Sequence, residues 1–339
     1  MDTNLMSQTA RAMVAPGKGL LAADESAGTC KKRFDSVSVE CTEENRRAYR
    51  ELLFTTPGVS EFVSGVILFD ETLRQKTKDG VNFAEYLKKN GIIPGIKVDG
   101  GAHDMALHPG EKVSEGLDGL GKRMDEYFKM GARFAKWRAV ITIGEKIPTW
   151  ACIEANAHAL ARYSAICQEA SIVPIVEPEV LLDGNHTVER CEVETEKMLA
   201  TLFNELIWHK VSLENVILKA SMVVSGKENS RQAGVQEVAE RTLRVLKRTV
   251  PAALPGVVFL SGGQTDENAT AHLDAMVRMG APWPLTFSYS RALQNTALKT
   301  WRGQAGNVAA AQKAFHHRAR MNSLAARGQW KAEVERQAA

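Results

Sequence analysis

Eight short apolar runs recur along the chain, each followed by a polar segment. They occupy residues 18–24 (KGLLAAD), 65–70 (GVILFD), 92–98 (IIPGIKV), 132–138 (ARFAKWR), 172–177 (IVPIVE), 215–220 (NVILKA), 256–261 (GVVFLS) and 284–288 (PLTFS). Their shortness, β-branched content and bounding Gly or Pro residues predict strands rather than buried helices. The segments between them have a helical period. Leu199, Leu202, Phe203 and Leu206 fall at i, i+3, i+4 and i+7. Val238, Thr242, Val245 and Leu246 fall at i, i+4, i+7 and i+8, so each set traces one helix face. Strands that alternate with helices pair in parallel through right-handed crossovers. Eight such units fit a closed α/β barrel, the (β/α)8 or TIM barrel; a doubly wound open sheet is the alternative this pattern leaves.

Length changes this picture little. A chain of 339 residues suggests about two domains by size alone, yet α/β barrels routinely exceed that prior as one unit. No linker rich in Pro, Gly or Ser interrupts the chain. The expectation is one barrel domain over 1–339, with a C-terminal tail from about residue 322. The 43 basic and 40 acidic residues balance to +3 without a large basic block, which argues against nucleic acid and against a membrane surface as partner. The five cysteines are odd in number and form no CxxC pair, as expected of reduced thiols in an intracellular protein. Residues 1–11 are polar and lack the apolar core of a signal peptide. No apolar run approaches the roughly 18 residues of a membrane span. The expected location is therefore the cytoplasm, and the glycosylation-like triplets at Asn185 and Asn268 are read as chance matches.

The runs end on chemistry. Their closing residues are Asp24, Asp70, Lys97, Lys136 with Arg138, Glu177, Lys219, Ser261 and Ser288. In a barrel these converge on the rim where active sites are found. Polar residues also mark ordinary strand ends. That alternative does not explain three lysines placed directly after apolar strand residues, because lysine is rarely buried without a partner. Lysines gathered on a partly dry rim are expected to repel one another and shed protons, and a neutral amine attacks a carbonyl to form a Schiff base. Spacing does not choose among Lys97, Lys136 and Lys219. Lys136 and Arg138 share a face, as do Glu177 and Glu179, and a carboxylate near lysines can shuttle protons. Paired carboxylates also suit a glycosidase, which needs no lysine trio. Ser261-Gly262-Gly263 and Ser288-Tyr289-Ser290-Arg291 follow the last two runs, where barrels usually bind phosphate. Arg291 adds charge and a fork of donors there, and Lys32 and Arg33 are candidates for a second phosphate. The eight histidines show no metal-ligand spacing and are read as surface or core residues.

These residues lie in stretches whose order closely resembles the class I fructose-bisphosphate aldolases. The stretches are APGKGLLAADES (15–26), TEENRRAYRELLFT (42–55), GIKVDGG (95–101), FAKWR (134–138), PIVEPEVLLDGNH (174–186), VILKASMV (216–223), FLSGGQ (259–264) and LTFSYSRALQ (285–294). The resemblance runs from about residue 10 to NSLAARG at 322–328. It implies a (β/α)8 barrel and reversible cleavage of fructose 1,6-bisphosphate to dihydroxyacetone phosphate and glyceraldehyde 3-phosphate, in glycolysis and gluconeogenesis, without metal or cofactor. It also implies a sugar phosphate as the small-molecule partner and a homo-oligomer, commonly a tetramer. Lys219 matches the family's Schiff-base lysine. Lys136 and Lys97 match its neighbours, and Lys97 is expected to bind substrate. Glu177 matches the shuttle for carbinolamine dehydration, with Glu179 beside it. Asp24 matches the residue placed by the C4 hydroxyl. Ser261, Gly262 and Arg291 match ligands of one phosphate, and Arg33 and Arg138 match basic residues near the sugar and the other phosphate.

The chain departs from the well-known animal enzymes at several positions. Ala220 and Ser221 follow the lysine where Pro-Asn is familiar. Ser290 replaces a glycine at one phosphate and Thr29 a serine at the other. Many family members end in a tyrosine implicated in proton transfer at the enamine, whereas no tyrosine follows Tyr289 here. Two other readings compete: an aldolase preferring another ketose phosphate, such as sedoheptulose 1,7-bisphosphate, and a non-catalytic barrel scaffold. Intact Asp24, Glu177 and Lys219 argue against the scaffold.

Overall fold

The computed structural model describes residues 1–337; Ala338 and Ala339, the end of the expected tail, lie outside the described residues. The strands are β1 (Gly19–Ala23), β2 (Val63–Leu68), β3 (Ile93–Lys97), β4 (Gly101–Asp104), β5 (Lys112–Glu115), β6 (Phe134–Ile141), β7 (Val173–Val180), β8 (Ile217–Ala220), β9 (Gly256–Phe259) and β10 (Leu285–Tyr289). Eight of them form a closed parallel barrel in the order β1-β10-β9-β8-β7-β6-β3-β2. The pairing that decides against an open sheet is the seam between first and last strands, with Leu20 beside Ser288 and Leu21 beside Tyr289. The remaining two, β4 and β5, form an antiparallel hairpin. Sequence pattern did not predict this hairpin, because its strands are four residues long and half polar.

Alternation along each strand sorts side chains between two cores. Trp137 packs outward among the helices, while Phe134 points into the barrel. Phe134 shares that interior with Leu20, Ala22, Ile67, Ile175, Ile217 and Val258. Its ring takes the space a side chain on β3 would need. A Cβ on Gly95 would lie 2.1 Å from the Phe134 ring, and one on Gly65 would lie 2.9 Å from it. Lys136 and Arg138 follow Phe134 at period two, so the same face carries them toward the C-terminal ends of the strands.

The other end of the barrel is stoppered. The helix Thr3–Met13 buries Met6, Ala10 and Met13 against the interior cluster. Ser64 donates to the Met13 carbonyl at 2.6 Å, and the Asp2 amide donates to Ser171 Oγ at 2.7 Å. The outer layer includes Trp150–Glu169, Val188–Trp208 and Val235–Thr249. The last two bury the apolar faces expected from period, Leu199 to Leu206 and Val238 to Leu246. The helix Val308–Ala325 runs through the residue where the tail was expected to start. Buried Asn322 accepts from Thr270 Oγ1 at 2.9 Å.

Candidate active site

A cleft of about 840 Å³ opens at the C-terminal ends of the barrel strands. Lys219, Glu177, Asp24, Lys136, Glu179, Lys97, Arg138, Arg33, Thr29, Ser261, Gly262, Ser290 and Arg291 all line it. Asp70 does not. Strand β2 stops at Leu68, and Asp70 opens the helix Asp70–Arg74, where it accepts from Arg74 and Tyr127. The expectation that it reaches the rim is therefore corrected: the apolar run ended before the acid.

Six charged groups on or just after five barrel strands form a connected row. Lys219 Nζ lies 3.0 Å from Glu177 Oε1. Lys136 Nζ lies 3.4 Å from Glu177 Oε2 and 2.7 Å from Asp24 Oδ2. Asp99 stands on the far side, 4.0 Å from Lys136 and 2.6 Å from Lys97. Lys136, Lys219, Glu177 and Asp99 are buried. Burial alone would strip the proton from Lys136, but the charges of Asp24, Glu177 and Asp99 outweigh it and raise the ammonium's pKa above its ordinary value. Burial opposes ionisation of Asp24 too, yet Lys136, Lys219 and Lys97 hold it well below the usual carboxylate range. The expectation that clustered lysines lose protons is thus reversed for Lys136. The barrel brings Asp24, Glu177 and Asp99 all within 4.0 Å of Lys136, and their combined attraction exceeds both the repulsion between lysines and the cost of burial.

A second group of lining residues has the chemistry to bind an anion. Gly262 and Gly263 have φ of +59° and +97°, left-handed conformations that glycine adopts without strain. A Cβ on Gly263 would lie 3.3 Å from the Arg291 guanidinium. Arg291 begins the helix Arg291–Trp301, whose N-terminus carries no side-chain cap. Burial and the nearby charges of Arg33 and Arg138 lower the pKa of Arg291. Arg33 and Arg138 are already paired with Glu25 and Glu179, so Arg291 is the guanidinium best placed to take up an added anion at the helix start.

Glu25 and Asp99 were not foreseen as site residues. Buried Glu25 accepts from Arg33, from Arg50 at 2.7 Å, from Ser290 Oγ at 2.7 Å and from Gln294 Nε2 at 3.0 Å. Arg33 and Arg50 keep its carboxyl ionised against the cost of burial. It directly follows Asp24, and strand alternation points adjacent residues to opposite faces, so the run-end pattern that marks Asp24 does not mark it. The unfamiliar Ser221 also has a role, since its Oγ accepts from the Val180 amide at 3.0 Å and ties the end of β8 to β7.

Comparison with known proteins interprets this geometry. The family description "Fructose-bisphosphate aldolase class-I" matches residues 5–339. A probable fructose-bisphosphate aldolase class 1 of Xanthomonas campestris is 62% identical over 333 residues, covering 98% of this chain and 100% of that protein. The chain belongs to the class-I fructose-bisphosphate aldolases. Fructose-bisphosphate aldolase 4, cytosolic, of Arabidopsis thaliana is 52% identical over 94% of this chain and 82% of its own length. A solved structure of the Plasmodium falciparum aldolase, in complex with TRAP and a small-molecule inhibitor, superposes with a TM-score of 0.96. It is 49% identical and covers 98% of this chain and 97% of that one. Like other class-I aldolases, this protein is a carbon–carbon lyase acting on a sugar phosphate in glycolysis. No helix among the described residues is long and apolar enough to cross a membrane.

Proposed function

We propose that Lys219 is the imine-forming residue in the cleavage of fructose 1,6-bisphosphate, and that Glu177, Asp24 and Lys136 manage its protons. The observation that carries this reading is the shared carboxylate: Glu177 touches Lys219 with one oxygen and Lys136 with the other. Glu177 takes a proton from Lys219, and the freed amine attacks the C2 carbonyl. The resulting carbinolamine hydroxyl leaves as water once Glu177 returns a proton to it, which yields a protonated imine. Asp24 then accepts the C4 hydroxyl proton. The C3–C4 bond breaks, its electron pair flows into the iminium to form an enamine, and glyceraldehyde 3-phosphate departs. A proton returns to C3, and water hydrolyses the imine to release dihydroxyacetone phosphate and Lys219. The Lys136 ammonium, fixed between Asp24 and Glu177, offsets charge on both carboxylates throughout.

Arg291, Ser261, Gly262 and Ser290 are assigned to one phosphate, and Arg33, Thr29, Arg138 and Lys97 to the sugar and the second phosphate. Glu179 accepts from Arg138 Nε and orients it. We further propose a cytoplasmic homotetramer whose subunit is one barrel domain with a C-terminal tail; family resemblance supports the assembly. Borohydride added with dihydroxyacetone phosphate tests the central assignment. The expected adduct lies on the peptide carrying Lys219, and Lys219→Ala abolishes both trapping and cleavage, while Lys97→Ala retains trapping. An adduct on Lys97 or Lys136 in the wild-type protein would overturn it.

A further inference from the structure

The fold brings together two histidines that the sequence separates. His158 lies in the helix Trp150–Glu169, and His209 caps the C-terminus of the neighbouring helix Val188–Trp208. Glu205, one turn before His209 and buried, points between them. His158 Nδ1 is 3.0 Å from Glu205 Oε2, and His209 Nδ1 is 3.5 Å from the same oxygen. One potential ligand atom from each of the three residues lies within 4.8 Å of the other two. None of the three lines the catalytic cleft.

We propose that His158, Glu205 and His209 form a binding site for a divalent transition-metal ion of the zinc type. Zinc bonds nitrogen and oxygen at about 2.0–2.2 Å, which sets neighbouring ligands of a tetrahedral ion roughly 3.3 Å apart. The two measured separations bracket that edge. Two imidazoles with one carboxylate form a borderline N2O set that suits zinc, cobalt or nickel better than magnesium or calcium. The His209 ring packs edge-on against the His158 ring, with centroids 4.9 Å apart, and its present hydrogen bond can be given up to a metal. His209 Nδ1 lies 2.9 Å from the Glu205 carbonyl, but that oxygen also accepts the His209 amide at 3.0 Å and stays satisfied when the ring lets go. Glu205 brings the negative charge of the site into a buried position, and metal binding neutralises it. His158 is half exposed on its side chain, which gives the ion an entry path and leaves a fourth position for water. The ion would bridge two outer helices, so its effect is to clamp them together, separately from the lysine chemistry.

Zinc titrated into the full-length protein by calorimetry tests this, with cobalt as a spectroscopic probe. The expected result is about one ion per chain with micromolar or tighter affinity, visible d–d bands of tetrahedral cobalt, and a higher melting temperature with zinc. Partners that merely orient metal ligands are worth about 10–100-fold in affinity, so removing a ligand should cost at least roughly tenfold. His158→Ala and His209→Ala, both at the helix surface, should each show that loss while cleaving substrate at the wild-type rate. Zinc binding undiminished in both variants, no binding below millimolar zinc, or an intense sulfur-to-cobalt band indicating a cysteine site would each overturn the proposal.

Discussion

Glu25 makes the residues on either side of the barrel seam work as one unit. It holds Arg33 and Arg50 from the first part of the chain and Ser290 and Gln294 from the last. Removing one partner of a buried ion cluster strands the other charges and typically costs about 3–5 kcal/mol. Glu25→Ala should therefore lower unfolding free energy by roughly that amount in urea titration. It should also raise KM for fructose 1,6-bisphosphate more than it lowers kcat, because Arg33 and Ser290 lose their anchor while Lys219 keeps Glu177. A wild-type KM would remove Glu25 from substrate binding. Lys219 and Glu177 were legible because each breaks an apolar run, although β7 does not end at Glu177 as the pattern suggested but continues to Val180, and β6 continues past Lys136 to Ile141. Glu25, Asp99 and Arg50 were not, because their roles depend on partners that only the closed barrel supplies.

At the scale of elements, the repeating strands were legible and the stopper was not. The helix Thr3–Met13 has its buried residues spaced among polar ones, and nothing in that segment marks the barrel interior as their destination. The hairpin β4–β5 was hidden for the opposite reason, having too few apolar residues to register. Interior packing sets strict limits on β3. Gly95→Ala would drive its methyl into the Phe134 ring, and overpacking of this kind costs about 1–3 kcal/mol or more, readable as a lower denaturation midpoint. The helix Asp266–Met279 buries His272, whose pKa falls from 6.5 to about 4 because burial disfavours its charge. Below pH 6.5 the unfolded chain takes up this proton, while the folded chain resists until about pH 4. Between those values the unfolded state binds more protons, so stability falls as pH falls. The loss from this group amounts to about 3 kcal/mol across the window. His272→Gln should flatten that part of the stability–pH curve, and an unchanged slope would exclude His272 as its source.

For the whole molecule, the barrel closes where β1 meets β10, with register partners as far apart as Leu20 and Ser288. Contacts this distant in sequence are slow to form, because a long loop must be closed first. After dilution from urea, helical circular dichroism should return before cleavage activity. Coincident recovery of the two would mean that closure is not the late step. The seam has a consequence during synthesis. Lys219 and Glu177 leave the ribosome well before Ser290, Arg291 and Gln294. On the assignments proposed above, a nascent chain that ends before residue 290 would hold the imine lysine without the phosphate grip that aims it, so cleavage is expected to begin only after that segment has been made.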